Sequence, residues 1–125
     1  DVPAAGFACG MERLLDLVVQ GGLGFKAEAA DVWLVLLGAD ADSAGFTLAE
    51  SLRDRGLRVI CNCGGGSISQ QLRRADRSEV PFAAVIGEEE LRDANVTIKP
   101  LRDRSSQVRL AREDVAEYLL SNREA

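Results

Sequence analysis

Val32-Trp33-Leu34-Val35-Leu36-Leu37 is an apolar run with no polar break, and it narrows the fold more than any other segment of the chain. A strand with one face in water alternates apolar and polar residues. An unbroken run means that both faces are covered, the situation of a central strand in a sheet flanked by helices. The neighbouring segments fit that arrangement. Ala44, Leu48 and Leu52 make a helical stripe over 43–55, with Ser43 as its cap and Gly56 as its natural stop. Residues 57–61 predict a second strand, and 80–86, entered through Pro81, a third. Between them Ser67 caps a helix whose Ile68, Leu72 and Ala75 face inward. Gly87 and Glu88-Glu89-Glu90 open a short helical turn. Residues 95–101 and 107–111 read as two strands joined by the polar 102–106 segment. An amphipathic helix with Val115, Tyr118 and Leu119 on its apolar side closes the chain. Strands alternating with helices predict parallel pairing through right-handed crossovers, and the last pair is expected to be antiparallel. The expected fold class is therefore α/β, with a mixed, mainly parallel five-stranded sheet and helices on both faces.

A separate unit precedes this pattern. Residues 3–8 are short and apolar, suited to a buried strand, and Gly10 opens a helix with Met11, Leu14, Leu15 and Val18 on one side. Gly21-Gly22-Leu23-Gly24 ends that helix and starts a joint. The expected division is a first unit over 1–21, a linker over 22–30 and a domain over 31–125. The start at Asp1-Val2-Pro3 lacks a signal-like core and an initiator methionine, so the chain reads as the back part of a longer polypeptide.

Cys61-Asn62-Cys63-Gly64-Gly65-Gly66-Ser67 reads as a strand end, a glycine turn and a helix start. Glycines let backbone N–H groups approach a ligand, and a helix start adds unpaired donors with partial positive charge. Gln70, Arg73, Arg74 and Arg77 come next at helical spacing, on the side opposite the apolar stripe. From Arg58 to Arg77 four arginines face Asp76 alone, in a chain whose net charge is −5. That balance excludes a general nucleic-acid coat but leaves a focused anionic contact on one face. A plain tight turn with solvated arginines remains open as the simpler reading.

Other chemistry is sparse. No Gly-Lys-Ser/Thr stands after the turn and the G-x-G-x-x-G spacing is missing, so neither a P-loop nor a dinucleotide fingerprint is present. The chain has no histidine, and its cysteines, Cys9, Cys61 and Cys63, form no disulfide framework. This argues for a reducing, cytoplasmic setting and against a metal site, with Cys61 and Cys63 as structural thiols on one strand face. Acids at 88–90 suit a helix N-terminus without invoking catalysis. No apolar run is long enough for a membrane span. Alone, the chain is expected to catalyse nothing.

Two segments taken together sharpen this. The Val2-Pro3-Ala4-Ala5-Gly6-Phe7 stretch running into Gly10-Met11-Glu12-Arg13 resembles the third signature motif of class II aminoacyl-tRNA synthetases in its histidyl form. Beyond the joint, Ala30-Asp31-Val32, Leu52-Arg53, Gly64-Gly65-Gly66-Ser67, Gln71-Leu72, Ala75-Asp76, Ile86-Gly87-Glu88, Glu90-Leu91, Val96, Ile98-Lys99 and Leu101 resemble the carboxy-terminal anticodon-binding domain of histidyl-tRNA synthetases. The resemblance implies that 1–21 is the end of a catalytic domain and 31–125 an anticodon-binding domain. It implies a parent that activates histidine with ATP and Mg2+, transfers it to histidine tRNA and is a homodimer. Arg13 would contact ATP phosphate there, with Gly6 and Gly10 admitting nucleotide close to backbone. For the anticodon loop it implies base-edge contacts from Asn62, Gln70 and Gln71. Gly65, Gly66, Ser67, Arg73, Arg74, Arg77 and Lys99 would meet phosphate or ribose. The chain departs from the family at Ser69 and Gln70, where lysines commonly stand. The alternatives are a synthetase-like regulatory or protein-interaction module and a small stand-alone nucleotide-binding protein.

Overall fold

The computed structural model describes residues 1–23, 29–103 and 105–123. Its centre is a five-stranded sheet of order β2-β1-β3-β4-β5. The strands are β1 (Val32–Leu36), β2 (Val59–Cys61), β3 (Phe82–Ile86), β4 (Asn95–Pro100) and β5 (Val108–Ala111). Helix α1 (Met11–Gln20) precedes them. Helices α2 (Ala39–Asp54), α3 (Ile68–Arg77) and α4 (Glu88–Arg92) lie between strands, and α5 (Val115–Ser121) comes after a 3-10 turn at Arg112–Asp114.

β1 pairs in parallel with both β2 and β3, with Val32 opposite Val59 on one side and Phe82 on the other. β4 runs antiparallel to β3 and to β5, placing Phe82 opposite Pro100 and Asn95 opposite Ala111. The expected mixed sheet and its antiparallel final pair are therefore present, but β4 also runs antiparallel to β3, so two pairings are parallel and two antiparallel and the sheet is not mainly parallel. The chain steps from β1 outward to β2 and then back across to β3. Crossovers of one hand then put α2 and α3 on opposite faces. The core divides accordingly. Val32, Leu34 and Leu36 pack with Leu48 and Leu52 of α2 and with Val115 and Leu119 of α5. On the other face Val35, Ala83 and Val85 pack with Trp33 and with Leu72 of α3. Both faces of β1 are thus covered, as its apolar run requires.

α2 fits against β1 through a glycine. A Cβ at Gly45 would stand 2.3 Å from Leu36 Cδ2, so any larger residue there would have to displace the buried Leu36 side chain. The helix starts earlier than Ser43: Gly38, at φ 99°, is its N-cap, and Asp40 and Asp42 occupy its first turn. Acids there favour the helix dipole, which lets the helix begin without a side-chain cap.

The amino-terminal expectation needs correction. α1 forms, but residues 3–8 make no strand and lie outside the sheet. An extended apolar segment becomes a strand only when an edge pairs with its backbone groups. Phe7 is 95% exposed and no residue of α1 is buried. Ile68, the first residue of α3 and read as inward-facing, is exposed as well. The joint at 24–28 lies outside the described residues.

Candidate nucleic-acid interface

β2 ends at Cys61, while β1 continues to Leu36. The Leu36 N–H and C=O therefore point toward a side of the sheet where no strand remains. Gln71 of α3 fills the vacancy: Leu36 N donates to its Oε1 at 2.8 Å, and its Nε2 donates to Leu36 O at 2.7 Å. The carboxamide replaces the next peptide group of β2. The second Nε2 hydrogen goes to Gly66 O at 2.8 Å, so the same side chain also holds the glycine turn.

That turn strings together left-handed residues, with φ of 86°, 64° and 108° at Gly64, Gly65 and Gly66. A Cβ on Gly64 or Gly65 would meet nothing within 4 Å, so backbone conformation, not crowding, demands glycine there. Asn62 Nδ2 donates to Gly65 O at 3.1 Å, and Arg74 Nη1 donates to Asn62 Oδ1 and to Gly65 O, both at 3.0 Å. Ser67 and Gln70 close a capping box: Gln70 N donates to Ser67 Oγ at 3.3 Å and Ser67 N to Gln70 Oε1 at 3.1 Å.

The residues expected to meet RNA therefore separate into two groups. Asn62 and Gln71 are buried; the Gln71 amide is spent on internal bonds, and Asn62 Nδ2 donates to Gly65 O while its Oδ1 accepts from Arg74. Both hold the site's shape, and Gln71, fully buried, offers no base-reading edge, contrary to the sequence reading. Gly65, Gly66, Ser67, Gln70, Arg73, Arg74 and Arg77 lie on the exposed turn and the outer face of α3. Among the described residues Arg73 and Arg77 have no ion-pair or hydrogen-bond partner, whereas Asp76 is drawn to Arg102 at 2.7 Å. Lys99 is exposed on β4 opposite Ala83, on the α3 face but two strands beyond β1 and away from the turn. Cys63 lies past the end of β2, so it does not share a strand face with Cys61. Burial pushes the Cys61 thiol up, against the partial opposition of the Arg53 charge.

The acidic run has a structural part. Glu90 is buried, accepting from Gly87 N at 3.0 Å and from Thr97 Oγ1 at 2.8 Å, with Arg109 at 3.5 Å. Burial raises its pKa, but these hydrogen bonds and the Arg109 charge outweigh burial and hold the carboxyl below its usual range. Asp31 behaves alike: burial raises it, and hydrogen bonds from Arg58, with the charges of Arg123 and Arg58, bring it below normal. Among the described residues no three His, Cys, Asp or Glu side chains gather where a cation could sit.

One exposed residue was missed. Phe46 on α2 is 63% exposed and borders the glycine turn. The signal was present in the sequence, since Phe46 falls off the stripe carrying Leu48 and Leu52.

Gly6, Gly10 and Arg13 do not fit a nucleotide as they stand. Each is exposed, Gly10 serves only as the N-cap of α1, and a Cβ on Gly6 would meet nothing within 4 Å. Arg13 is exposed on the first turn of α1.

Comparison with known proteins agrees with the geometry. The chain is 42% identical over 119 residues to a histidine–tRNA ligase of Dechloromonas aromatica, covering 94% of this chain and 28% of that protein. It is 44% identical over 114 residues to the corresponding ligase of Aromatoleum aromaticum, covering 91% of this chain and 26% of that one. The chain thus spans little more than a quarter of these relatives. A crystal structure of histidyl-tRNA synthetase from Nostoc sp. PCC 7120 superposes with a TM-score of 0.71 at 25% identity, over 90% of this chain and 28% of that one. The family described as "Anticodon binding domain" matches residues 10–122, and the chain belongs to that family.

Proposed function

We propose that this chain is the anticodon-reading part of a histidine–tRNA ligase and that its outer α3 face, with the glycine turn, receives the anticodon loop of histidine tRNA. The observation that carries this reading is the pair of unpartnered arginines, Arg73 and Arg77, beside the anchored Arg74 on an otherwise acidic molecule. Guanidinium groups free of internal partners are available to phosphate, and their forked geometry suits it. Arg74 keeps its Nη1 on Asn62 and Gly65 and turns the remainder of its guanidinium to the surface. Gln70 has its Oε1 on Ser67 N, which leaves its Nε2 as a donor for a base or ribose. In the whole protein, residues 1–21 belong to the catalytic unit that activates histidine with ATP, 22–30 link it, and 31–125 bind tRNA. The setting is cytoplasmic and the parent a dimer; no helix among the described residues is long and apolar enough to cross a membrane.

The test is a titration of the chain with a fluorescent histidine-tRNA anticodon stem-loop and with a scrambled loop, at several salt concentrations. The native loop is expected to bind more tightly, and replacing Arg73 and Arg77 by glutamine is expected to flatten log K against log salt by about 1.4, for two single-strand phosphate contacts. Equal affinity for both loops, or a salt slope untouched by the double substitution, contradicts the reading.

A further inference from the structure

We infer that the groove between α2 and the glycine turn is a base pocket, in which Phe46 stacks one unpaired base of the bound RNA and Asp42 reads that base as guanine. The inference rests on the anticodon reading above and adds a specific subsite to it. The groove holds about 240 Å³ and lies outside the carboxyl ends of β1 and β2. Leu36 and Cys61 form its apolar floor, Phe46 one wall, and Asn62 and Gly64 the opposite rim. It is smaller than the roughly 300 Å³ at which drug-sized pockets begin, a scale suited to one planar ring.

Three observations point to a base. First, Phe46 is 63% exposed, and a large aromatic left in water at the edge of a polar surface is a stacking platform for splayed-out bases. Second, Asp42 stands one helical turn before Phe46 on α2, exposed and lining the same groove, and among the described residues its carboxylate has no partner. A carboxylate accepts two hydrogen bonds side by side, and among the common bases guanine presents two adjacent N–H donors on its Watson–Crick edge. Third, the groove is continuous with the cationic face. Asn62 and Gly64 form its rim, and Arg74 is fixed to Asn62 at 3.0 Å, so a phosphate held by α3 leaves its nucleotide within reach of the pocket. A carboxylate beside arginines repels phosphate but accepts a base edge, which sets the direction in which a nucleotide lies across the turn.

The experiment uses the full chain and the histidine-tRNA anticodon stem-loop, with each loop guanine replaced in turn by inosine, which lacks the second donor. Affinity is measured for the unaltered chain, D42N and F46L, both changes being at exposed positions. One guanine-to-inosine replacement is expected to weaken binding to the unaltered chain about tenfold, and D42N is expected to abolish that discrimination. F46L is expected to lower affinity about tenfold for guanine and inosine loops alike, since stacking is indifferent to the edge. As a second readout, bound RNA is expected to slow alkylation of the exposed Cys63 thiol, which borders the groove, and not that of Cys9. If the unaltered chain binds no stem-loop, the anticodon reading falls and the pocket with it. If it binds in an Arg73- and Arg77-dependent manner, yet D42N and F46L bind every loop as the unaltered chain does, the pocket is refuted and the anticodon reading stands.

Discussion

Replacing Gln71 with leucine is expected to cost this domain a large share of its stability, although no charge and little volume change. The side chain is completely buried and its carboxamide completes the β1 ladder at Leu36 with bonds of 2.8 and 2.7 Å. Leucine fills the space and strands the Leu36 N–H and C=O inside the protein. At about 1–3 kcal/mol per buried orphan group, the pair costs about 2–6 kcal/mol. The Gly66 carbonyl, only partly buried, can turn to water and adds little. Small domains are stable by about 5–15 kcal/mol, so the loss is readily measured. Urea denaturation monitored by circular dichroism gives the difference. Amide exchange gives its location, since Leu36 N–H is expected to change from slow to fast exchange while Val35 N–H, within the β1–β3 pairing, changes less. Gln71→Glu is a stricter control, because a carboxylate would face two carbonyl oxygens that now receive N–H donors. A loss below about 1 kcal/mol with Leu36 still protected would refute the ladder argument. It would also make Gln71 available to RNA again.

Two further outcomes can be checked in the same preparations. Asp31 and Glu90 both have carboxyl groups held below their ordinary values, so they bind protons more readily unfolded than folded. Their contribution is present in full above about pH 5 and is lost as the pH falls through about 4 and below. Melting temperature measured from pH 7 to 3 should fall less steeply for Glu90→Gln than for the unaltered chain, and identical slopes would remove Glu90 as a cause. Gly65→Ala puts a side chain at φ 64° in open space. It should lower stability by about 1 kcal/mol through backbone strain alone and leave α3 helical by amide exchange.

Much of the fold was legible because its elements carry local signatures. The unbroken 32–37 run fixed a doubly covered strand, and Ser67 was legible as the cap of α3, where its hydroxyl accepts from Gln70 N. The missed features depend on where neighbouring elements stop. Asn62 and Gln71 looked like surface amides because nothing in their own segments reveals that β2 ends short of β1. Only that mismatch creates buried backbone groups in need of a side chain. The start of α2 was misplaced for a related reason: Ser43 is a good cap in isolation, but Gly38 turns the chain first and Asp40 and Asp42 suit the helix entrance. At 3–8 the apolar pattern was strand-like, yet no edge of the sheet is offered to it. The site's arginines were visible from helical spacing. Which of them is free was not, because Arg74 is held by a turn whose shape the sequence leaves open.

The tethering of that turn has a consequence for association. Three adjacent glycines would ordinarily be the most mobile part of a surface, and fixing them when RNA arrives would cost binding entropy. Here Asn62, Gln71 and Arg74 hold the carbonyls of Gly65 and Gly66 from beneath. The ordering is therefore completed during folding, before any ligand is met, and the outward face is preorganised. Changes to these three side chains should accordingly appear in the residence time of bound RNA, through a looser receiving surface, including for Gln71, which is fully buried and does not touch it.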